Sequence, residues 1–286
     1  MCTAIACSGG RFFFGRTLDL DRSYGEEVVM TPRRFPLPFR HTEAMTSHHA
    51  ILGMAHIAQA YPLYYDAMNE HGLCMAGLRF RPHARYPGGN GTHIAPFELI
   101  PWVLGQCADL NEAHALLEQT VLCDTAFSQE LPTTQLHWLI ADKTGALTVE
   151  STADGLHLYR NPVGVLTNDP TFPHQMALLR RDGDLPGDLS SPSRFRRAAF
   201  TKTHARSVDT ATDFLRLLDT VTQVPGCNGD MATLYSSCCD PANGIYCYST
   251  CHSRRIAGID MSREDLDCSG LLRFGLETRE GIHLQN

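Results

Sequence analysis

The chain has 286 residues and a formal net charge of −7, and 43% of its residues are hydrophobic while 19% are charged. This composition predicts a packed globular core and excludes an intrinsically disordered chain. The negative balance argues against a nucleic-acid partner, because phosphate-binding surfaces need clustered positive charge.

The first third of the sequence is rich in strand patterns. Residues 33–47 and 79–92 contain prolines, glycines and polar residues that favour loops. Strands are predicted at 2–7 and 11–16 around the turn residues Ser8-Gly9-Gly10, then at 27–31, 50–57, 64–69 and 72–78.

Helices and strands alternate in blocks over the rest of the chain. Short hairpins rather than helical crossovers join the strands, so we expect one α+β domain over 1–286, with helices stacked outside antiparallel sheets. Asp109 and Glu112 form a capping pattern before the second helix. Helices are predicted at 96–107, 113–119, 193–206 and 210–221, and strands at 137–141, 146–151, 156–159, 163–167, 233–238, 245–251, 256–261 and 270–276.

Several other classes of protein are disfavoured. No apolar run is long enough to span a bilayer and residues 1–20 do not have a signal-peptide pattern, so we expect a cytoplasmic protein without membrane insertion. The spacing of the eleven cysteines fits no common zinc module, and we expect neither a metal nor another cofactor. The alternative from a different class is a Cys/His metal-binding or structural protein built on the late cysteines Cys227, Cys238, Cys239, Cys247, Cys251 and Cys268.

The N-terminus carries the residue with the clearest chemical potential. Cys2 follows Met1, whose removal would place a thiol and a free α-amine in one residue. A thiol is a good nucleophile, and an α-amine with a pKa of roughly 7.7–8 is a serviceable base. Arg16 and Asp19 follow one hairpin later, where a cation favours a thiolate and a carboxylate orients an ammonium. A cysteine after methionine also occurs without any catalytic role, so Cys2 alone does not decide the function.

Short motifs recur along nearly the whole chain in a specific order. They are Met1-Cys2-Thr3, Phe14-Gly15-Arg16, Leu18-Asp19, Met68-Asn69-Glu70, Ala76-Gly77-Leu78, Leu136-His137-Trp138, Leu166-Thr167-Asn168, Pro170-Thr171-Phe172, Ser193-Arg194-Phe195 and Gly244-Ile245-Tyr246. With these motifs the chain resembles the choloylglycine hydrolase family, the bile salt hydrolases and penicillin V acylases, within the N-terminal nucleophile hydrolases. The resemblance implies a four-layer αββα sandwich with Cys2 between the two sheets.

The resemblance also implies an amidohydrolase that cleaves the linear amide bond of N-acyl amino acids. Cys2 would be the nucleophile and, through its α-amine, the proton acceptor and donor. Arg16 would lie by the thiol, Asp19 would hold the α-amine, and Arg194 would complete the charge network. Asn168 would give a side-chain N–H to the oxyanion.

Other positions follow from the same resemblance. Arg79 would give a backbone N–H to the oxyanion, and its side chain would either meet the anion of a conjugated bile salt or crowd the pocket. Leu18, Ala58 and Phe127 would line an apolar acyl pocket. Taken singly, Asn168 could instead cap a turn, Asp19 could end a strand, and Arg194 could lie on a solvated helix face.

Two departures from the family bear on the substrate. The family usually has Asn or Tyr where this chain has Arg79, and the stretch 173–192 is short where many members carry a long insertion that helps to assemble tetramers. We expect a small-molecule substrate and a homo-oligomer that does not use that insertion. Bile salts are the first substrate class, penicillin V and N-acyl homoserine lactones are alternatives, and an inactive homologue is a further one.

Overall fold

The computed structural model describes residues 2–8, 10–180, 185, 187–205, 207–224 and 231–277. The strands are β1 (Cys2–Cys7), β2 (Phe13–Leu20), β3 (Glu26–Thr31), β4 (Ile51–Ala58), β5 (Tyr61–Asn69), β6 (Cys74–Arg79), β7 (Thr92–Ile94), β8 (Thr120–Leu122), β9 (Leu136–Asp142), β10 (Gly145–Thr152), β11 (Gly155–Arg160), β12 (Val165–Leu166), β13 (Ala232–Asp240), β14 (Ile245–Thr250), β15 (Ser253–Asp260) and β16 (Leu272–Phe274). The α-helices are α1 (Leu99–Gln106), α2 (Leu110–Leu117), α3 (Phe172–Leu178), α4 (Ser191–His204) and α5 (Ala211–Asp219). Short 3₁₀ helices cover Pro96–Glu98 and Met261–Arg263.

Two large antiparallel sheets form the centre of the fold. One has six strands in the order β12-β1-β2-β13-β14-β15, and the other has eight in the order β11-β10-β9-β6-β5-β4-β3-β16. A third, two-stranded sheet pairs β7 with β8 in parallel. The prediction of antiparallel sheets is confirmed for both large sheets.

Three hydrophobic clusters separate four layers. One cluster lies between the two sheets and includes Ala4, Phe14 and Leu52. A second joins α1 and α2 to the outer face of the eight-stranded sheet, and a third joins α4 and α5 to the outer face of the six-stranded sheet. This order of layers confirms the predicted αββα sandwich, and it buries both faces of the central strands.

The alternation of side chains along β1 and β2 positions the N-terminal residues. Cys2 lies opposite Leu18 and Ala4 lies opposite Arg16, so these side chains share the face between the sheets. Ile5 belongs to the cluster on the opposite, helix-covered face. Cys2 itself is 3% exposed, at the start of a strand that is buried along its whole length.

The predicted helices are present with small shifts at their ends, and the Asp109 side chain accepts from the backbone N–H groups of Asn111 and Glu112 as the capping pattern predicted. Four elements were not predicted: β7, β8, α3 and the 3₁₀ helix Met261–Arg263. β7 and β8 have three residues each and pair with each other outside the two large sheets, and α3 contains Pro173. Within the described residues, no helix is long and apolar enough to cross a membrane.

Candidate active site

Cys2 is tied to Asn168 through its main-chain nitrogen. β12 pairs with β1 only at Ala4 and Ile5, so the start of β1 extends beyond its neighbour. The Cys2 nitrogen donates to Asn168 Oδ1 at 2.7 Å instead of to a strand partner. This nitrogen is the atom that becomes the α-amine when Met1, which lies outside the described residues, is removed.

Arg16 reaches from the six-stranded sheet into the ladder of the other sheet. Its Nη1 donates to the carbonyl of Tyr65 on β5 at 3.0 Å and to that of Gly77 on β6 at 2.6 Å. The pairing of β5 with β6 ends at Asp66 and Ala76, so the guanidinium occupies the place where the two strands separate. Nη2 is buried and has no hydrogen-bond acceptor among the described residues.

A buried carboxylate lies behind Arg16. Asp66 is 0% exposed and accepts from Tyr235 Oη, Ser237 Oγ and Tyr246 Oη at 2.6–2.7 Å. Burial raises the pKa of Asp66 above its usual value, although Arg16 and the hydroxyl donors oppose this shift. Burial would lower the pKa of Arg16, but the charges of Cys2, Tyr235 and Asp66 outweigh it and raise that pKa.

Asp19 and Arg194 lie on the helix side of β1 and β2. Arg194 on α4 is 0% exposed, so the interpretation of this residue as part of a solvated helix face is wrong. Its Nη1 donates to the Cys2 carbonyl and to Thr3 Oγ1, and its Nη2 donates to Asn168 Oδ1 at 2.8 Å. Burial lowers the pKa of Arg194, and the charge of Asp19 opposes this.

The carboxylate of Asp19 is held by several partners. Thr233 Oγ1 and Gln223 Nε2 donate to it at 2.7 and 2.6 Å, and Arg194 Nη1 lies 4.0 Å from it. The plain interpretations of Asp19 as a strand end and of Arg194 as a surface residue do not account for these fully buried contacts.

Arg79 and Asn168 meet beside Cys2. Asn168 Nδ2 donates to the Arg79 carbonyl at 2.8 Å, so the amide bridges Arg79 to the Cys2 nitrogen rather than capping a turn. Phe80 N–H donates to the Gln135 carbonyl, and hydrogen bonds alternate along an antiparallel pair. The N–H and C=O of Arg79 therefore point away from β9 and toward the side on which Asn168 lies.

A cavity of about 690 Å³ opens over Cys2 and Arg16. Leu18 and Phe127 line it as predicted, whereas Ala58 is not part of the lining, because it lies at the end of the β4–β5 hairpin opposite Tyr61. The other apolar lining side chains are those of Leu20, Leu63, Pro96, Phe97, Leu131, Pro132 and Leu136.

Arginines are concentrated along the same cavity. Arg22, Arg79, Arg81 and Arg85 join the buried Arg16 in lining it, against only two acidic residues, Asp124 and Glu130. The Arg81 side chain donates to Gln135, and that of Arg85 donates to main-chain carbonyls. The side chain of Arg79 is exposed and has no ion pair within the part of the chain that the structure describes.

Sequence reasoning missed the residues that support this site. Behind Arg16, the carboxylate of Asp66 accepts hydrogen bonds from Tyr235, Ser237 and Tyr246. The carboxylate of Asp19 accepts hydrogen bonds from Gln223 and Thr233. The only local signal was an aspartate inside the apolar strand pattern of 64–69, since a carboxylate at a buried strand position needs partners.

Metal ligands do not gather at this cavity. Among the described residues, the only group of three side chains with metal-ligand spacing is His49, Glu70 and His71, in the segments before β4 and between β5 and β6. It contains none of the late cysteines named for the alternative of a Cys/His metal-binding protein, and Cys227, one of them, lies outside the described residues.

The αββα fold brings Cys2, at the start of β1, to a large cavity. The family model of the linear amide C–N hydrolases, choloylglycine hydrolase family, matches residues 2–183 and 180–274. The chain belongs to this family. The two matched segments meet inside the short stretch 173–192.

Individual relatives agree with this assignment. The chain is 40% identical to a bile salt hydrolase/transferase of Lactiplantibacillus plantarum over an alignment of 324 positions that covers the whole of both chains. That length exceeds the 286 residues of this chain, so the relative carries segments that this chain lacks.

Solved structures are similar over the full length. The crystal structure of the C2A variant of the conjugated bile acid hydrolase from Clostridium perfringens has a TM-score of 0.92 and 31% identity over 100% of both chains. Penicillin V acylase from Agrobacterium tumefaciens shares the fold, with a TM-score of 0.80 and 19% identity over 97% of this chain and 92% of its own.

Proposed function

We propose that this chain deconjugates bile salts by hydrolysing the amide that joins the steroid acid to glycine or taurine, through a thioester at Cys2. The observation that carries the proposal is the position of Cys2 at a large cavity whose walls are apolar and whose charged lining is mainly arginine. An amphipathic acyl group with an anionic amino acid fits these two features. The named relatives act on this class of compound.

The reaction needs a base for the thiol, and the α-amine of the processed chain is that base. The Cys2 thiol gives its proton to the amine while the sulfur attacks the amide carbonyl. The ammonium then returns the proton to the leaving amino acid as the C–N bond breaks. Water attacks the resulting thioester, the amine takes a proton from that water, and release of the bile acid regenerates the thiol.

Asn168 holds the amine, and Arg194 and Asp19 support this contact. Asn168 Oδ1 accepts from the Cys2 nitrogen, and Arg194 donates to both Asn168 Oδ1 and the Cys2 carbonyl. Asp19 lies behind Arg194 and supplies the negative charge that favours the ammonium form of the amine. These contacts support the expectation that Arg194 completes a charge network at Cys2.

The oxyanion that forms during attack needs fixed N–H donors. The side-chain amide of Asn168 has a second N–H besides the one given to Arg79, and the Arg79 N–H points to the same side of β6. We assign these two groups to the oxyanion. Nη2 of Arg16, which has no acceptor among the described residues, adds positive charge beside the thiol.

The side chain of Arg79 suits the anion of the leaving amino acid. It begins at the residue that supplies the backbone N–H, lines the cavity, and has no ion pair among the described residues. A guanidinium binds a carboxylate or a sulfonate through paired N–H groups. We propose that Arg79 lies near the leaving group, which places the acyl chain along the apolar wall with Leu18 and Phe127.

An amine-release assay tests the proposal. It compares glycine-conjugated and taurine-conjugated bile salts with penicillin V and an N-acyl homoserine lactone, for the wild type and for Cys2→Ala. We expect turnover of the bile salts by the wild type alone. Preference for penicillin V or the lactone would replace the proposed substrate, and no turnover of any of them would favour an inactive homologue.

Two substitutions separate the charge of Arg79 from its backbone role. Arg79→Met removes the guanidinium and keeps the N–H, whereas Arg81→Met, two residues away on the same cavity, is the matched control. An exposed ion pair contributes up to about 1 kcal/mol, so Arg79→Met should raise KM for a conjugated bile salt by about fivefold and leave kcat nearly unchanged. An equal effect of both substitutions would contradict a specific contact at Arg79.

We also propose that the enzyme works in the cytoplasm as a homo-oligomer. The ten cysteines of the described residues are free thiols, which suits a reducing compartment. Light scattering coupled to size-exclusion chromatography measures the oligomeric state, and a monomer at working concentration would contradict that part of the proposal.

A further inference from the structure

A cluster of two histidines and a glutamate lies outside the catalytic cavity. His71 Nε2 is 3.1 Å from His49 Nδ1, and the ligand atoms of His49, Glu70 and His71 all lie within 4.8 Å of one another. Ligands of a tetrahedral zinc ion at about 2.0–2.1 Å are separated by a little over 3 Å, as these ring nitrogens are. From this geometry we propose that His49, Glu70 and His71 form a binding site for a divalent transition-metal ion such as Zn²⁺.

Both histidines are held by the end of α1 before any metal binds. The His49 N–H donates to the Gly105 carbonyl in the last turn of that helix. The Asn69 side chain donates to the carbonyls of Leu104 and Cys107, and Asn69 Oδ1 accepts from the His71 N–H. The ligands therefore stand on a rigid support, which lowers the ordering cost of binding a metal.

The surroundings of the ligands have the form that supports a metal. Arg33 Nε and Nη2 and the Ala50 N–H fix the orientation of the Glu70 carboxylate, as hydrogen-bond donors commonly do for a metal-binding carboxylate.

The charge balance also favours a cation. Arg33 and Arg34 balance the charges of Glu70 and Asp267, and Glu112 adds a further negative charge that acts on His49. The C-terminal end of α1 carries partial negative charge toward the same place. His71 is exposed, so an ion and its remaining water ligands can enter from solvent.

The ligand set selects the class of metal. Two imidazoles and one carboxylate suit Zn²⁺, Ni²⁺ and Cu²⁺ better than Mg²⁺ or Ca²⁺, which prefer oxygen ligands. A bound ion would join the segment before β4, the β5–β6 turn and the end of α1. An ion that binds the folded state and not the unfolded chain stabilises the folded state, so the ion should raise the Tm.

Titration calorimetry with Zn²⁺ tests the proposal on the full chain carrying Cys2→Ala, which removes the reactive thiol as a competing ligand. We expect a one-to-one binding event. His49→Gln and His71→Gln should each lower the affinity for Zn²⁺ by more than about tenfold. Substitution of a residue that only supports a metal ligand already lowers metal affinity by about that factor. His252→Gln, at an exposed histidine in the β14–β15 turn, is the matched control and should bind like its parent.

Thermal unfolding provides an independent readout. Zn²⁺ should raise the Tm of the parent and of the His252→Gln control, a chelator should reverse this, and the Tm of His71→Gln should not respond. A parent that binds no Zn²⁺, or binding that is equal in all four proteins, would overturn the proposal. Neither result depends on the hydrolase activity, so failure of the metal-site proposal would not bear on the proposed function.

Discussion

Replacement of Asn168 by alanine is the substitution whose effect follows most directly from the contacts. The residue is 4% exposed, and its side chain makes three hydrogen bonds. Oδ1 accepts from the Cys2 nitrogen at 2.7 Å and from Arg194 Nη2 at 2.8 Å, and Nδ2 donates to the Arg79 carbonyl at 2.8 Å. Asn168→Ala removes all three and the N–H that we assign to the oxyanion.

The expected losses have different sizes for folding and for catalysis. Three buried hydrogen bonds at about 1 kcal/mol each predict that the free energy of unfolding falls by about 3 kcal/mol. One missing oxyanion donor lowers kcat by about 10²–10³-fold. The freed Cys2 amine also loses its acceptor, so the reduction in kcat should lie at the upper end of that range.

The assay measures kcat from amine release under saturating conjugated bile salt, together with urea unfolding of the same preparation. Asn168→Asp is the matched variant, because it keeps an acceptor for the Cys2 amine and Arg194 but has no side-chain N–H. If the oxyanion needs that N–H, Asn168→Asp should lose about 10²-fold in kcat, and Asn168→Ala, which also loses the acceptor of the amine, should lose more. A folded Asn168→Ala enzyme within about tenfold of the wild type would refute the reasoning, and so would a fast Asn168→Asp enzyme.

Three further outcomes are expected. Gly15→Ala would place a Cβ 2.0 Å from the Ser237 carbonyl oxygen, so β2 and β13 would have to move apart. The yield of soluble protein should therefore fall sharply. Normal expression with an unchanged midpoint of urea unfolding would contradict this expectation. Asp66 has a raised pKa in the folded state, so the stability that it contributes is complete below its unfolded pKa of about 3.9 and is lost as pH rises. Asp66→Asn should therefore gain stability relative to the wild type between pH 4 and pH 7 in urea unfolding, and a difference that does not change with pH would be evidence against it. Brief alkylation should modify Cys2 before Cys7, because burial raises the pKa of Cys7 to about 11; peptide mass spectrometry that finds the reverse order would contradict an accessible thiol at Cys2.

The layered fold was predictable because its strands and turns leave local patterns. The hairpin of β1 and β2, the Asp109 cap and the apolar face of α5 all appear as short-range periodicities. β7 has three residues and begins where the glycine-rich stretch 79–92 ends, and the composition of that stretch favours a loop.

The site was only partly predictable, since its contacts join residues that are far apart in sequence. The Cys2 nitrogen and Asn168 are separated by 166 positions, and no local pattern reports their contact. Periodicity favours a solvent face for an arginine on a helix, yet Arg194 is buried because α4 packs over β1 and supplies a charge to Asp19. The order of motifs identified these residues, whereas Asp66 had no motif to identify it.

The central claim is that the processed chain begins at Cys2 and that its thiol carries the bile acyl group. Rapid mixing with a glycine-conjugated bile salt, acid quenching and intact-mass spectrometry test this directly. We expect a chain that lacks Met1. Before steady state, its mass should be increased by the mass of the acyl group, and the added group should be located on Cys2. Full activity with Met1 retained, or turnover by Cys2→Ala, would contradict it.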